Sequence, residues 1–87
     1  MNYEMRIQYS QNGRLISDTL FRTVSFFWAK QDEQDAREVA FAMVKEQGCG
    51  SAAIYVCPES DRSIKTYIST NMHYPAHTVP VLKFKTA

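Results

Sequence analysis

The sequence predicts an α+β domain, a single helix packed on an antiparallel sheet of four to five strands in the order β-β-α-β-β-β. Three observations carry this. Tyr3 to Tyr9 alternates apolar and polar residues, the mark of a half-buried strand. Asp32 to Gln47 is the one stretch with helical spacing of apolar residues. Most of the remainder is rich in β-branched and aromatic residues bounded by turn signals. Eighty-seven residues make one domain, 1–87, with a thin core. A content of 45% hydrophobic and 13% aromatic residues excludes a disordered chain.

In the first strand Tyr3, Met5, Ile7 and Tyr9 share one side and Glu4, Arg6 and Gln8 the other. Ser10-Gln11-Asn12-Gly13 follows, and Asn-Gly is the strongest short hairpin signal. Arg14 to Ile16 begins the return, and Asp18 is placed to divide it. Leu20 to Ala29 reads as strand in either of two registers. One turns Leu20, Val24, Phe26 and Trp28 inward, the other Phe21, Thr23, Phe27 and Ala29. With Phe26, Phe27 and Trp28 consecutive, at least one large ring must stay outside or cover an edge.

Asp32 reads as the N-cap of the helix, with Asp35 at capping-box spacing. Ala36, Val39, Ala40, Met43 and Gln47 form one narrow face, flanked by Val44, and its small residues allow a close seat on the sheet. Gly48 and Gly50, around Cys49, end the helix. Phe41 lies off that face, beside Arg37 and Lys45; it either packs on a strand edge or serves as an exposed anchor for a partner. After the helix, Ser51 to Cys57 is a strand with Ala52, Ile54 and Val56 on one face. Pro58 to Arg62 is a loop. Ser63 to Thr70 returns with Ile64, Thr66 and Ile68 inward. Asn71 to Pro80 connects to a last edge strand, Val81 to Lys85, guarded by Pro80 and two lysines.

Net charge is +1, against strong non-specific binding of nucleic acid, but the charge is divided. Asp32 to Gln47 carries a net of −3 and the rest +4. An acidic helix side (Asp32, Glu33, Asp35, Glu38, with Phe41) and a basic sheet side are therefore the two candidate contact surfaces. The sheet side would display Arg6, Tyr55, Lys65, Tyr67, Lys83 and Lys85. Bases interleaved with aromatics resemble single-strand nucleic-acid platforms, although no Lys/Arg-Gly-Phe/Tyr run is present. Tyr74, with Met72, His73 and His77, adds a loop of interface composition.

Nothing in the sequence announces catalysis or a metal. Cys49 and Cys57 are too far apart for a tight zinc pair, and Pro75 separates His73 from His77. No carboxylate is placed to orient either histidine, and no glycine loop precedes a helix. No cofactor is expected. No apolar run approaches the ~20 residues of a membrane span, and MNYEMRIQYS is unlike a signal peptide. A cytoplasmic location and reduced thiols follow as expectations.

The segment AKQDEQDAREVAFAMVKEQGCGSAAIYVCPESDRSIKTYIS, Ala29 to Ser69, resembles the strand–helix–strand–strand layout of small phage-encoded inhibitors of host defence, including some type I anti-CRISPR proteins. It carries no motif by which individual residues could be matched. The resemblance implies a compact non-enzymatic protein that binds a host protein or ribonucleoprotein complex and blocks it sterically and electrostatically. A nucleic-acid-binding domain using the sheet face is the alternative. Both a monomer and a homodimer fit, with Phe27, Phe41 or Val81 as the buried contact in a dimer.

Overall fold

The computed structural model describes residues 2–74, as backbone from 69 onward. Strand β1 (Tyr3–Gln11) turns at Asn12 and Gly13 into β2 (Arg14–Val24). Both turn residues have positive φ, 53° and 76°, which is what a tight hairpin between right-twisted strands requires. Helix α1 (Lys30–Gln47) follows, then β3 (Gly50–Pro58) and β4 (Thr66–Tyr74). The four strands form one antiparallel sheet in the order β2-β1-β3-β4. The strand expected at Val81 to Lys85 lies outside the described residues.

The helix seats on one face of the sheet, over β1, β3 and β4. Met5, Ile7 and Tyr9 of β1 and Ala52, Ile54 and Val56 of β3 rise from that face, paired across the strands. Ala36, Ala40 and Val44 descend to meet them and are completely buried. Alanines four residues apart let the helix backbone approach closely, as their spacing implied.

The buried side of the helix is nevertheless rotated from the expected one by roughly 60°. Phe41 is only 4% exposed and belongs to the core, whereas Val39 is exposed and Met43 half-buried. A large ring on the flank contributes more apolar burial than a valine, and it turns the helix toward itself. Phe41 is therefore not a surface anchor.

The helix start is also corrected. Ala29 is the N-cap and Asp32 the third helical residue. The Asp32 carboxylate reaches back and accepts a hydrogen bond from the Ala29 N–H at 3.2 Å, half of a capping box displaced by one turn. At the other end Gly48 is left-handed, with its N–H bonded to the carbonyls of Val44 and Lys45.

Strand β2 runs unbroken through Asp18 and ends at Val24, before the aromatic triplet. Neither expected register holds along its length. The pairing with β1 shifts at Met5/Arg6 and at Tyr9/Ser10, leaving Phe21 and Ile16 as extra residues. Each bulge inverts the alternation. Val24 is thus buried, Phe21 half-buried against the core, and Leu20 exposed on the opposite face. Strand β4 begins at Thr66, three residues later than expected. Residues 59–65 form a folded loop in which Asp61 Oδ1 accepts from the Ser63 N–H and hydroxyl, and the Asp61 carbonyl from the Ile64 N–H. Ile64 is consequently exposed and not an inward strand residue.

Gly50 opens β3 with φ +98°, and a Cβ there would lie 2.5 Å from the Ser10 carbonyl oxygen and 2.8 Å from Tyr9 Oη. Tyr9 donates to the Cys49 carbonyl at 2.6 Å, so its ring cannot retreat without loss. Gly50→Ala should cost more than 2 kcal/mol by order of magnitude, about twice the cost of Gly48→Ala, whose site is open. Urea unfolding of the two variants checks this. Phe41→Ala should cost about 3–4 kcal/mol, as a core aromatic does; a loss under about 1 kcal/mol would mean the ring is on the surface.

Candidate functional site

The face of the sheet away from the helix carries the described members of the basic and aromatic set expected on it. One row runs across all four strands, with Leu20 opposite Arg6, Arg6 opposite Tyr55 and Tyr55 opposite Tyr67. The Tyr55 and Tyr67 rings lie 5.4 Å apart, and Lys65 Nζ stands 5.4 Å from the centre of the Tyr55 ring. Four of the residues expected to share a face therefore do so: Arg6, Tyr55, Lys65 and Tyr67.

They do not share its exposure. Arg6 and Tyr55 are buried, together with Glu4 and Cys57, and only Lys65 and Tyr67 are accessible. A continuous chain of hydrogen bonds explains how charged groups tolerate this position. Arg62 Nε donates to Glu4 Oε1 at 3.0 Å. Arg6 Nη1 donates to the same oxygen at 2.9 Å, and Arg6 Nε to Asp18 Oδ1 at 2.8 Å. Tyr55 donates to Asp18 Oδ2 at 2.5 Å. The Arg6 guanidinium also reaches the Asp18 carbonyl at 3.1 Å. Among the described residues no buried side-chain nitrogen or oxygen lacks a partner.

The protonation states follow from these contacts. The bonds from Arg62, against the cost of burial, and then from Arg6 hold the Glu4 carboxyl below the ordinary carboxylate range. Burial would raise Asp18, but the bonds from Tyr55 and Arg6 outweigh it and hold Asp18 low. Burial likewise opposes the charge on Arg6, and its bonds to Asp18 and Glu4 overcome that and raise it. Burial and donation to Asp18 push the Tyr55 phenol up. Burial first, then the charge of Glu4, pushes the Cys57 thiol up, away from a reactive thiolate.

The acidic flank of the helix is also internally engaged. Arg22 Nη1 bonds Asp32 at 2.7 Å and Asp35 at 3.1 Å. Glu33 accepts from the Trp28 indole N–H at 2.7 Å and from Arg37 at 3.5 Å. Glu38 is exposed. Asp32, Glu33 and Asp35 of the expected acidic face are therefore held in ion pairs, because β2 brings Arg22 to the helix start and Arg37 lies one turn from Glu33. Tyr74 ends β4 opposite Gly50. Lys83, Lys85 and His77 lie outside the described residues.

Sequence reasoning missed a second surface. Tyr3, Phe26, Trp28, Val56, Pro58, Ile64 and Thr66 line a largely apolar groove of about 400 Å³ at the corner where β2 passes into α1. The consecutive rings of the triplet were its signal, but their separation from Ile64 in sequence hid the wall opposite. A more polar cleft of about 370 Å³, between Tyr9, Ile16, Met43 and Gln47, opens where the helix leaves β2 uncovered.

Among the described residues no cluster of three His, Cys, Asp or Glu stands together to hold a metal, and no helix is long and apolar enough to cross a membrane. Cys49 is exposed and Cys57 buried.

The hydrogen-bonded chain makes stability pH-dependent. Glu4 and Asp18 have depressed folded-state pKa values. Their contribution is complete above the unfolded-state value of about 4 and disappears as pH falls through the lower folded-state values. The urea midpoint should hold from neutrality to about pH 5 and drop below about pH 4. Asp18→Ala, which strands Tyr55 Oη and half of Arg6, should cost about 2–4 kcal/mol at pH 7 and flatten that acid limb.

No family model matches the chain, and no curated protein or solved structure is significantly similar to it.

Proposed function

We propose that the chain is a small non-enzymatic protein-binding module that docks through the sheet face opposite its helix. The observation that supports this most is the internal pairing of two of that face's described cations, Arg6 and Arg62, with Glu4 and Asp18. A face neutralised in this way offers little net charge to a phosphate backbone, whose binding depends on releasing counterions. Burial of Tyr55 also removes one of the two rings on which bases would stack, which weighs against the nucleic-acid alternative.

What remains for a partner is a half-exposed tyrosine, Tyr67, with Lys65 beside it and Leu20 at the far end of the same row. An accessible tyrosine packed on a second ring suits a protein interface, where one end of the ring is packed and the hydroxyl stays wet. Here that hydroxyl is oriented by donation to Gln8 at 3.0 Å. Such a contact works by shape and apolar burial more than by long-range charge. The layout resemblance of Ala29 to Ser69 makes the partner a host protein or ribonucleoprotein of a defence system, blocked by occlusion. That identity rests on the resemblance alone.

Affinity capture from the source cells tests the reading. The species retained by the native protein should be retained about tenfold less by a Lys65→Glu/Tyr67→Ala variant. Single-stranded and duplex oligonucleotides should not bind at low salt. Retention that ignores the double substitution would remove the sheet face as the contact. Oligonucleotide binding that falls steeply with salt would establish the alternative.

A further inference from the structure

We infer that the corner between β2 and α1 is a self-association surface, and that its groove receives the Phe27 ring of a second copy of this chain. Phe27 is 87% exposed, the most exposed large apolar residue described. Its neighbours on both sides are anchored. Phe26 packs on Tyr3 with ring centres 5.5 Å apart, and Trp28 is held by its bond to Glu33. With both neighbours held, and Val24 buried just before them, Phe27 is left pointing outward. Its ring rests edge-on against Phe26, 4.8 Å between centres, and Ser25 Oγ donates to the Phe27 carbonyl at 3.3 Å. The projection is thus pre-set, and little side-chain freedom remains to be lost on binding.

A knob and a hole therefore sit side by side on one molecule. The groove begins at Phe26, the residue next to the knob, and at about 400 Å³ it has room for a phenyl ring. Its walls are aromatic or aliphatic apart from Thr66. A surface that carries its own complement is what a two-fold dimer needs, since each copy inserts Phe27 and receives Phe27, and the exchange closes at two. Chain neighbours of the groove carry both signs, Lys30 and Arg62 with Glu59 and Asp61, so a second copy meets no single-sign repulsion.

The area decides the strength. Phe27 exposes roughly 200 Å², and Phe26 and Ile64, each 57% exposed, add roughly 100 Å² apiece. Doubled over two copies, and with the groove walls they cover, this reaches roughly 1,000 Å², the lower end of specific interfaces. The dimer is accordingly weak, in the micromolar to millimolar range.

Sedimentation of the intact chain from about 10 μM to about 1 mM reads it directly. The weight-average mass should rise from the 10.0 kDa monomer towards twice that value. Trp28, the single tryptophan and a wall of the groove, should shift its emission to the blue over the same range. Phe27→Ala and, from the opposite wall, Ile64→Glu should each weaken association at least about tenfold and abolish the shift. Both residues are exposed, so both variants should keep the native circular dichroism. A monomer at every concentration, a dimer indifferent to either substitution, or growth beyond two copies would each overturn the proposal.

Discussion

The structure depends on one hydrogen-bonded chain, Arg62–Glu4–Arg6–Asp18–Tyr55, that crosses from the β3–β4 loop over β1 to β2 and back to β3. Apart from Glu4 and Arg6, which are neighbours on β1, its members come from distant parts of the sequence, and Glu4 and Arg62 are 58 residues apart. A slip of one residue between β1 and β2 would turn Arg6 or Asp18 to the helix face and leave the other buried without its partner. Buried ion pairs add little net stability, but breaking one is expensive. Their effect here is to penalise every other register of the three strands.

That constraint accounts for the division of labour between the two faces. The helix face is held by non-directional burial, with Met5, Ile7, Ile54 and Val56 under Ala36, Ala40 and Val44. Such a core tolerates small sliding, since one aliphatic contact replaces another. The opposite face supplies the directional contacts that the core lacks. Tyr9 and Gly50 do the same at the far end of β3. There the Tyr9 hydroxyl, accepting from Gln11 and donating to Cys49, closes the helix exit against the first strand.

The sequence allowed the fold to be read where one residue's environment is set by its immediate neighbours. The alternation of β1 and β3, the Asn12-Gly13 turn and the alanine spacing of α1 are of this kind. It failed where a distant residue decides. The bulges at Ile16 and Phe21 exist only in relation to β1, so no period-two pattern of β2 could place Leu20 outside and Phe21 against the core. The helix rotated because Phe41 has a core to enter, which helical periodicity alone does not show. The candidate contact residues divide in the same way. Arg6, Tyr55 and Tyr67 fall on one face as strand parity implies, whereas Lys65 reaches it from the loop before β4. The burial of Arg6 and Tyr55, and the pairing of Asp32 and Asp35 with Arg22, depend on cross-strand neighbours that parity does not reveal.

The same pairing changes what the outer surface can be. Charges that would ordinarily face solvent are turned toward one another, at the start of the helix and beneath Tyr67. Rings that would ordinarily be buried are turned out at the bend between β2 and α1. Internally paired ions contribute little to a long-range field, because opposite charges within 3 Å cancel beyond a few ångströms. Exposed rings on an anchored bend carry a standing cost in water that only a covering surface relieves. Attraction at distance is therefore weak and attraction at contact is apolar. Association through the sheet face or through the bend between β2 and α1 should be governed by shape at the point of contact, and should vary little with ionic strength.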